Sequence, residues 1–319
     1  MTIILAIILL AVVVIGGLVW FSASTARKVE AALPPCGTFK EVNGARLHFV
    51  DTGGTTPPIV MIHGLGGNLL HYKYALSDHL ADDFRLILID RPGSGYSTRT
   101  TDDATLGAQA SAIAELIRAL GLKRPLLVGH SLGGALSLAL ALDHPDCVGA
   151  LALLAPLTHT QEKVPEIFQG LLVESRLMRK IIAWTLAIPL GIRHGATSLA
   201  VVFAPDTVVP DFALRAGGLL SLRPNSFISA SSDIVALRDE LQRYIKRYPS
   251  LDVPAGILFG TEDNILDHRK HGEAMKAACP ALDLELIKGG HMPLIIVPDR
   301  CEALIRRVAA RQQQAQHKG

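Results

Sequence analysis

Ser131 stands in GHSLGG (129–134), between the apolar runs PLLV (125–128) and ALSLALALDHP (135–145). A serine hydroxyl attacks a carbonyl effectively only when a base takes its proton. The base expected is a histidine, itself oriented by a carboxylate. The chain has 12 histidines, so position must choose among them. His291 lies in KGGHMP (288–293), after the last strand-like run and before the last helical one. Active sites of α/β sheets are built at the C-terminal ends of strands. The same rule points to Asp263, in TEDNILD (261–267), as the acid, with Glu262 and Asp267 as neighbouring rivals. The preceding apolar run ends in LLAPLTHT (153–160), which carries no acid.

These side chains need elements to hold them. GxSxG gains meaning when it follows a strand and opens a helix, the setting of a nucleophile elbow. Gly129, Gly133 and Gly134 leave room for a sharp turn, and the helix N-terminus behind Ser131 turns free N–H groups toward the serine oxygen. An oxyanion needs two such donors. The backbone N–H of Leu132 is one, and that of Leu65, in HGLGGN (63–68), is the other; His63 is assigned to ordering that loop. The order Ser131, Asp263, His291 is the Ser…Asp…His order of this architecture.

The apolar runs 58–64, 84–90, 125–130, 148–156, 253–260 and 282–290 suit strands buried on both faces of a parallel sheet. TFKEV and ARLHFV, joined by Asn43-Gly44, predict a hairpin before them. Helical stretches are predicted at 68–80, 104–120, 132–143, 268–278 and 299–313, which makes an α/β fold. Residues 158–250 hold no strand and are expected to form a helical insertion, with one helix ending at Pro189 and another over 228–248. Two readings fit the apolar residues of that insertion, among them Phe168, Leu172, Leu177, Ile181 and Trp184. One is ordinary packing; the other is an acyl pocket or a lid that touches a membrane.

Residues 3–21 carry no charge, and 14 of the 19 are Ile, Leu, Val or Phe. Insertion of such a run is worth about −4 to −8 kcal/mol. As a helix it is about 30 Å long, the thickness of the hydrocarbon core. Trp20 and Phe21 fall at its edge. A cleaved signal peptide is the competing reading, with Ser24-Thr25-Ala26 as its cleavage site, but the run is longer than a usual signal core and no basic residue precedes it. Arg27 and Lys28 follow the span and place the globular part on the cytoplasmic side by the positive-inside tendency. The expected layout is an anchor at 1–24, a linker at 25–37, core at 38–157 and 251–313, a cap at 158–250 and a polar tail at 314–319.

The net charge of +2 and the lack of a basic run exclude a nucleic-acid partner. The four cysteines show no zinc or disulfide spacing, although a single bridge is open. His268 and His271 are read as a solvated helix face, since no third metal ligand is placed beside them. No metal or organic cofactor is expected.

HGLGGN, DRPGSGYS (90–97), GHSLGG, GTEDNILD and GGHMP, in this order over residues 38–313, resemble the α/β-hydrolase family. The resemblance implies a mostly parallel eight-stranded sheet, a serine hydrolase, a structural role for Asp90 to Ser97, and a cap over residues 158–250. Serine at the elbow sets the chain apart from dehalogenases and epoxide hydrolases, whose elbow carries aspartate. A single span ahead of such a domain is similar in layout to membrane-anchored monoacylglycerol lipases. The expected activity is cleavage of an acyl or lipid-like ester. Related hydrolases act on carbon–carbon bonds, lactones, thioesters or amides with the same groups, and a catalytically silent binding module is the reading outside enzymes.

Overall fold

The computed structural model describes residues 1–317, without the side chains of residues 238 and 239. The strands are β1 (Thr38–Val42), β2 (Ala45–Asp51), β3 (Pro58–Ile62), β4 (Arg85–Ile89), β5 (Thr98–Arg99), β6 (Leu126–His130), β7 (Ala150–Leu154), β8 (Ala255–Gly260) and β9 (Asp283–Ile287). All nine belong to one sheet, eight of them in the order β1-β2-β4-β3-β6-β7-β8-β9. The pairs β1–β2 and β2–β4 are antiparallel, and every neighbour from β4 to β9 is parallel. The sequence reading missed the two-residue β5, which pairs with β2. It lies within a polar loop and has no apolar alternation to reveal it.

Strands β6 and β7 are buried at every position, as their unbroken apolar runs require when helices cover both faces. The helices are α1 (Thr2–Ala32), α2 (Leu70–Ala75), α3 (Ser77–Leu80), α4 (Leu106–Ala119), α5 (Leu132–Asp143), α6 (Arg176–Thr185), α7 (Ala187–Phe203), α8 (Phe212–Arg215), α9 (Pro224–Ile245), α10 (Ala274–Ala278), α11 (Pro293–Ile296) and α12 (Pro298–Gln316). Leu106, Ala110, Ile113 and Ile117 put one stripe of α4 into the core beside α5. Thr105 caps α4, its Oγ1 accepting from the Ala108 N–H at 3.2 Å. On the other face, Tyr72 of α2 and Leu304, Ile305 and Val308 of α12 close a second apolar layer.

Three expected boundaries move. The region expected as a linker, 25–37, is helical through Ala32, so α1 is one unbroken helix. Its residues 22–32 contain neither glycine nor proline, and the helix stops at Leu33, where Pro34 disfavours a helical backbone. The expected polar tail is helical to Gln316, because Arg311 donates to the carbonyls of Ala255 and Ala281 and Gln312 to that of Arg124; Lys318 and Gly319 lie outside the described residues. Pro189 does not end a helix. It occupies the first turn of α7, where its missing N–H would have had no intrahelical partner. The chain breaks earlier, at 172–175, and again at Leu186, where α6 and α7 meet at 72°. The four cysteines are all free. The expected insertion at 158–250 contains α6 to α9 and, among its described residues, no strand.

Candidate active site

Ser131 has φ 53° and ψ −118°, a left-handed backbone that side-chain-bearing residues rarely adopt. Two bonds to the end of β7 hold it: the Ser131 N–H donates to Leu154 O at 3.1 Å, and the Leu157 N–H to Ser131 O at 2.9 Å. Glycine is required beside it. A Cβ on Gly133 would lie 2.0 Å from Ile62 O, and one on Gly129 2.6 Å from Gly133 O.

His291 Nε2 lies 3.0 Å from Ser131 Oγ, and its Nδ1 lies 2.7 Å from Asp263 Oδ2. Asp263 therefore accepts from Nδ1–H and leaves Nε2 with a free lone pair toward the hydroxyl. The Asp263 side chain is buried, and its Oδ1 accepts from the N–H groups of Ile265 and Leu266 at 2.7 and 3.0 Å. These bonds fix the orientation of the carboxylate. Glu262 and Asp267 are both exposed, and Asp267 instead accepts from Arg269 N–H at 2.9 Å.

The loop after β3 completes the arrangement. His63 donates from Nδ1 to Gly64 O at 2.8 Å and accepts the Arg91 N–H on Nε2 at 3.0 Å, an ordering role like the one assigned to it. Gly64 O also accepts from Arg91 at 3.3 Å and from Gly67 N–H at 3.2 Å. In a trans peptide the C=O and the following N–H point in opposite directions. Three donors on Gly64 O thus turn the Leu65 N–H away from them. Among the described residues, neither the Leu65 nor the Leu132 N–H has a hydrogen-bond partner.

Sequence reasoning missed the groups that brace this loop. Arg91 is fully buried and reaches Asp233 of α9 at 3.0 Å and Gln109 at 2.9 Å. Asp233 also receives Arg99 at 2.9 Å, so one carboxylate from the cap is shared by two arginines of the core. Arg91 had been absorbed into a loop assigned to structure, and no local pattern links it to residue 233. His130 donates from Nε2 to His291 O at 2.9 Å; burial holds its pKa well below 6.5, so the ring is neutral. His71 also lines the cavity, buried and held by desolvation at a pKa of about 4. Asp90 accepts from His48 and from the Leu69 and Tyr96 N–H groups, which ties the 90–97 loop to β2.

One expectation is corrected here. His271 does not face solvent. It is fully buried, and its Nδ1 accepts from the Thr158 and His159 N–H groups at 3.2 Å each. Its helix packs against the start of the cap, which an isolated histidine in a polar run does not reveal. His268 is exposed only in part, with Asp267 and Glu273 near its ring nitrogens at 3.9 and 3.8 Å.

Above Ser131 and His291 lies a cavity of about 790 Å³. Leu65, Leu132 and Met292 form its floor, and Phe168, Leu199, Val202 and Leu237 of the cap close it. Histidines are its only basic lining residues, with no lysine or arginine among those described.

A family model for the alpha/beta hydrolase fold matches residues 57–296. The chain belongs to the α/β hydrolase fold family. Proteins of comparable extent are similar to it. An uncharacterized protein of Mycobacterium tuberculosis is 26% identical over 302 residues, covering 88% of this chain and 83% of its own. A 2-hydroxy-6-oxononadienedioate/2-hydroxy-6-oxononatrienedioate hydrolase of a Pseudomonas species is 26% identical over 230 residues, 71% of this chain and 78% of its own. Among solved structures, a thermophilic esterase from Thermogutta terrifontis is 25% identical with TM-score 0.66, covering 86% of this hydrolase and 97% of the esterase. A membrane phospholipase A described as a bacterial virulence factor shares the fold over 98% of this chain and 99% of its own, with TM-score 0.68 and 22% identity.

Proposed function

We propose that this chain is a membrane-anchored serine hydrolase that cleaves carboxylic esters with an apolar acyl group. The observation that carries the reading is the relay Ser131–His291–Asp263, at 3.0 and 2.7 Å, on the floor of an apolar cavity. Ser131 Oγ attacks the ester carbonyl while His291 Nε2 takes its proton. Asp263 holds the ring and stabilises its cationic form. The Leu65 and Leu132 N–H groups receive the developing oxyanion. His291 then protonates the leaving alkoxide, and water attacks the acyl-enzyme with His291 as base again. These residues carry the sequence without a metal or organic cofactor.

The cavity favours an acyl ester over a dicarboxylate such as the one in the Pseudomonas hydrolase's name. A second carboxylate would meet leucine, valine and phenylalanine, with no arginine or lysine among the described lining residues. The anchor reading rests on α1: its residues 2–17 are exposed and almost wholly apolar, and it continues without a break past Ser24-Thr25-Ala26 into contacts with the cap. Arg27 and Lys28 at its inner end favour a cytoplasmic-facing domain.

Fluorophosphonate labelling of the purified chain tests the nucleophile. Label on the wild type and none on Ser131→Ala is expected; equal label on both, or none on either, sinks the serine-hydrolase reading. A panel of ester, thioester, lactone and amide substrates then separates the bond types, and preference for acetyl over longer acyl esters would count against the apolar pocket.

A further inference from the structure

The cap carries an apolar surface that the cavity does not use. On α6, Leu177, Ile181 and Trp184 stand at i, i+4 and i+7, with Met178 beside them, and all are exposed, Leu177 by 68%. Leu186, at the break, and Leu190 and Val201 of α7 face outward, while Gly191, Gly195, Leu199 and Val202 line the cavity. A helix apolar on both sides belongs in a core or against lipid.

The position of α1 says which. Exposure is complete up to residue 17, and contact begins at Leu18, half-buried, and Ser22, buried. That is the level of Trp20 and Phe21, at the edge of the apolar run. α1 packs on α6 and α7, and none of its residues before Leu18 is covered. The cap therefore meets the helix where the span ends, with no linker between.

The junction is also braced. Val29 is buried; Glu30 pairs with Arg223 at 3.4 Å; Arg223 is itself buried, donates to Gly95 O and Leu220 O, and lies over the Tyr96 ring at 4.7 Å. The Tyr96 hydroxyl donates to Leu33 O. Contacts spread over three turns of one unbroken helix fix the tilt of the domain against the span. Lys180 and Arg193, exposed beside the apolar side chains, and Arg27 and Lys28 on α1 add the basic fringe of an interfacial surface.

We propose that the outer face of α6 and α7 docks into the acyl–headgroup boundary of the leaflet that α1 enters, held there by the braced α1–cap junction. The proposal rests on the anchor reading above. One helix, α7, then stands between the leaflet and the cavity.

Trp20 and Trp184 are the only tryptophans, so each reports its own region. The full-length chain is reconstituted into phosphatidylcholine vesicles brominated along the acyl chains. In Trp20→Phe, the remaining Trp184 is expected to lose fluorescence relative to unbrominated vesicles and to shift to the blue relative to the detergent-free aqueous limit. In Trp184→Phe, Trp20 is expected to be quenched as well. Quenching of Trp20 alone overturns the docking and leaves the anchor; quenching of neither overturns both. The readout needs no turnover, so a chain without esterase activity fails the proposed function and not this test. The double variant Leu177→Glu/Ile181→Glu adds a second reading. Loss of hydrolysis of a vesicle-embedded long-chain ester, with a soluble acetyl ester turned over as in the wild type, is expected. Unchanged rates on both substrates overturn the docking.

Discussion

Helices α5 and α7 are both apolar around most of their circumference, yet they live in different surroundings. Ten of the twelve residues of α5 are buried, whereas Ile188 and Phe203 are the only buried ones among the seventeen of α7. Between α5 and its neighbours there is no spare volume: a Cβ on Gly133 would strike the carbonyl oxygens of Ile62 and His63. Around Gly195, in the middle of α7, an added Cβ would meet nothing within 4 Å. The difference teaches where precision is needed. The helix that begins directly after Ser131 is gripped on all sides, and the helix that borders the cavity has open space beside it.

The largest effect that would break this contrast lies at the gripped end. Ser131→Ala is expected to lower kcat on a nitrophenyl ester by at least about 10⁴-fold. Because α5 starts at Leu132, near-normal far-ultraviolet circular dichroism of that variant would assign the loss to chemistry and not to folding. Next, Gly133→Ala should cost about 1–3 kcal/mol or more of unfolding free energy in denaturant titration, since backbone oxygens cannot move aside as side chains do. A variant as stable as the wild type would show that α5 is not gripped as described.

Arg91→Met tests the brace from the cap to the Leu65 peptide. It removes one donor from Gly64 O while Asp233 keeps its pair with Arg99. A fall in kcat of about tenfold to a hundredfold with little change in KM is expected, less than for loss of a direct oxyanion donor. A rise in KM with unchanged kcat would instead make Arg91 a residue that only shapes the cavity.

Acid should loosen the cap from the core before it touches α5. Burial, followed by the nearby His159 and Lys270, lowers the His271 pKa to about 4 from 6.5. Asp263 and Asp267 oppose the shift. The unfolded chain binds this proton near pH 6.5 and the folded chain only near pH 4. The contribution is therefore complete above pH 6.5 and is lost as pH falls through that window. His71, also near 4 through burial, adds to it in the same direction. Melting temperature measured from pH 7 to pH 4 should fall, and His271→Gln should flatten the slope. The smallest effect belongs to the loose helix: Gly195→Ala should raise stability by about 0.5–1 kcal/mol, as for any unhindered glycine in a helix interior.

The strand–helix order, the hairpin at Asn43-Gly44 and the elbow at Ser131 were legible because each depends on short-range sterics and on one period of apolar residues. Ser131, Asp263 and His291 were legible for a related reason: a parallel sheet gathers its strand ends on one edge, so residues 28 and 160 positions apart in sequence converge. Other features depended on what covers a residue. Glu262 and Asp263 are neighbours of the same chemistry, and only burial against the N–H groups of Ile265 and Leu266 separates them. His271 looked solvated until the start of the cap was laid over it. The pairing of Arg91 with Asp233 spans 142 positions. The apolar run at the N-terminus suggested a span by composition alone, but the helix continuing past that run and packing onto the cap is a fact of packing. Local preference and periodicity are properties of the chain. Desolvation and long-range pairing exist only once the chain has folded on itself, and here they decide which acid meets His291, which histidines are buried and which face of the cap is left exposed.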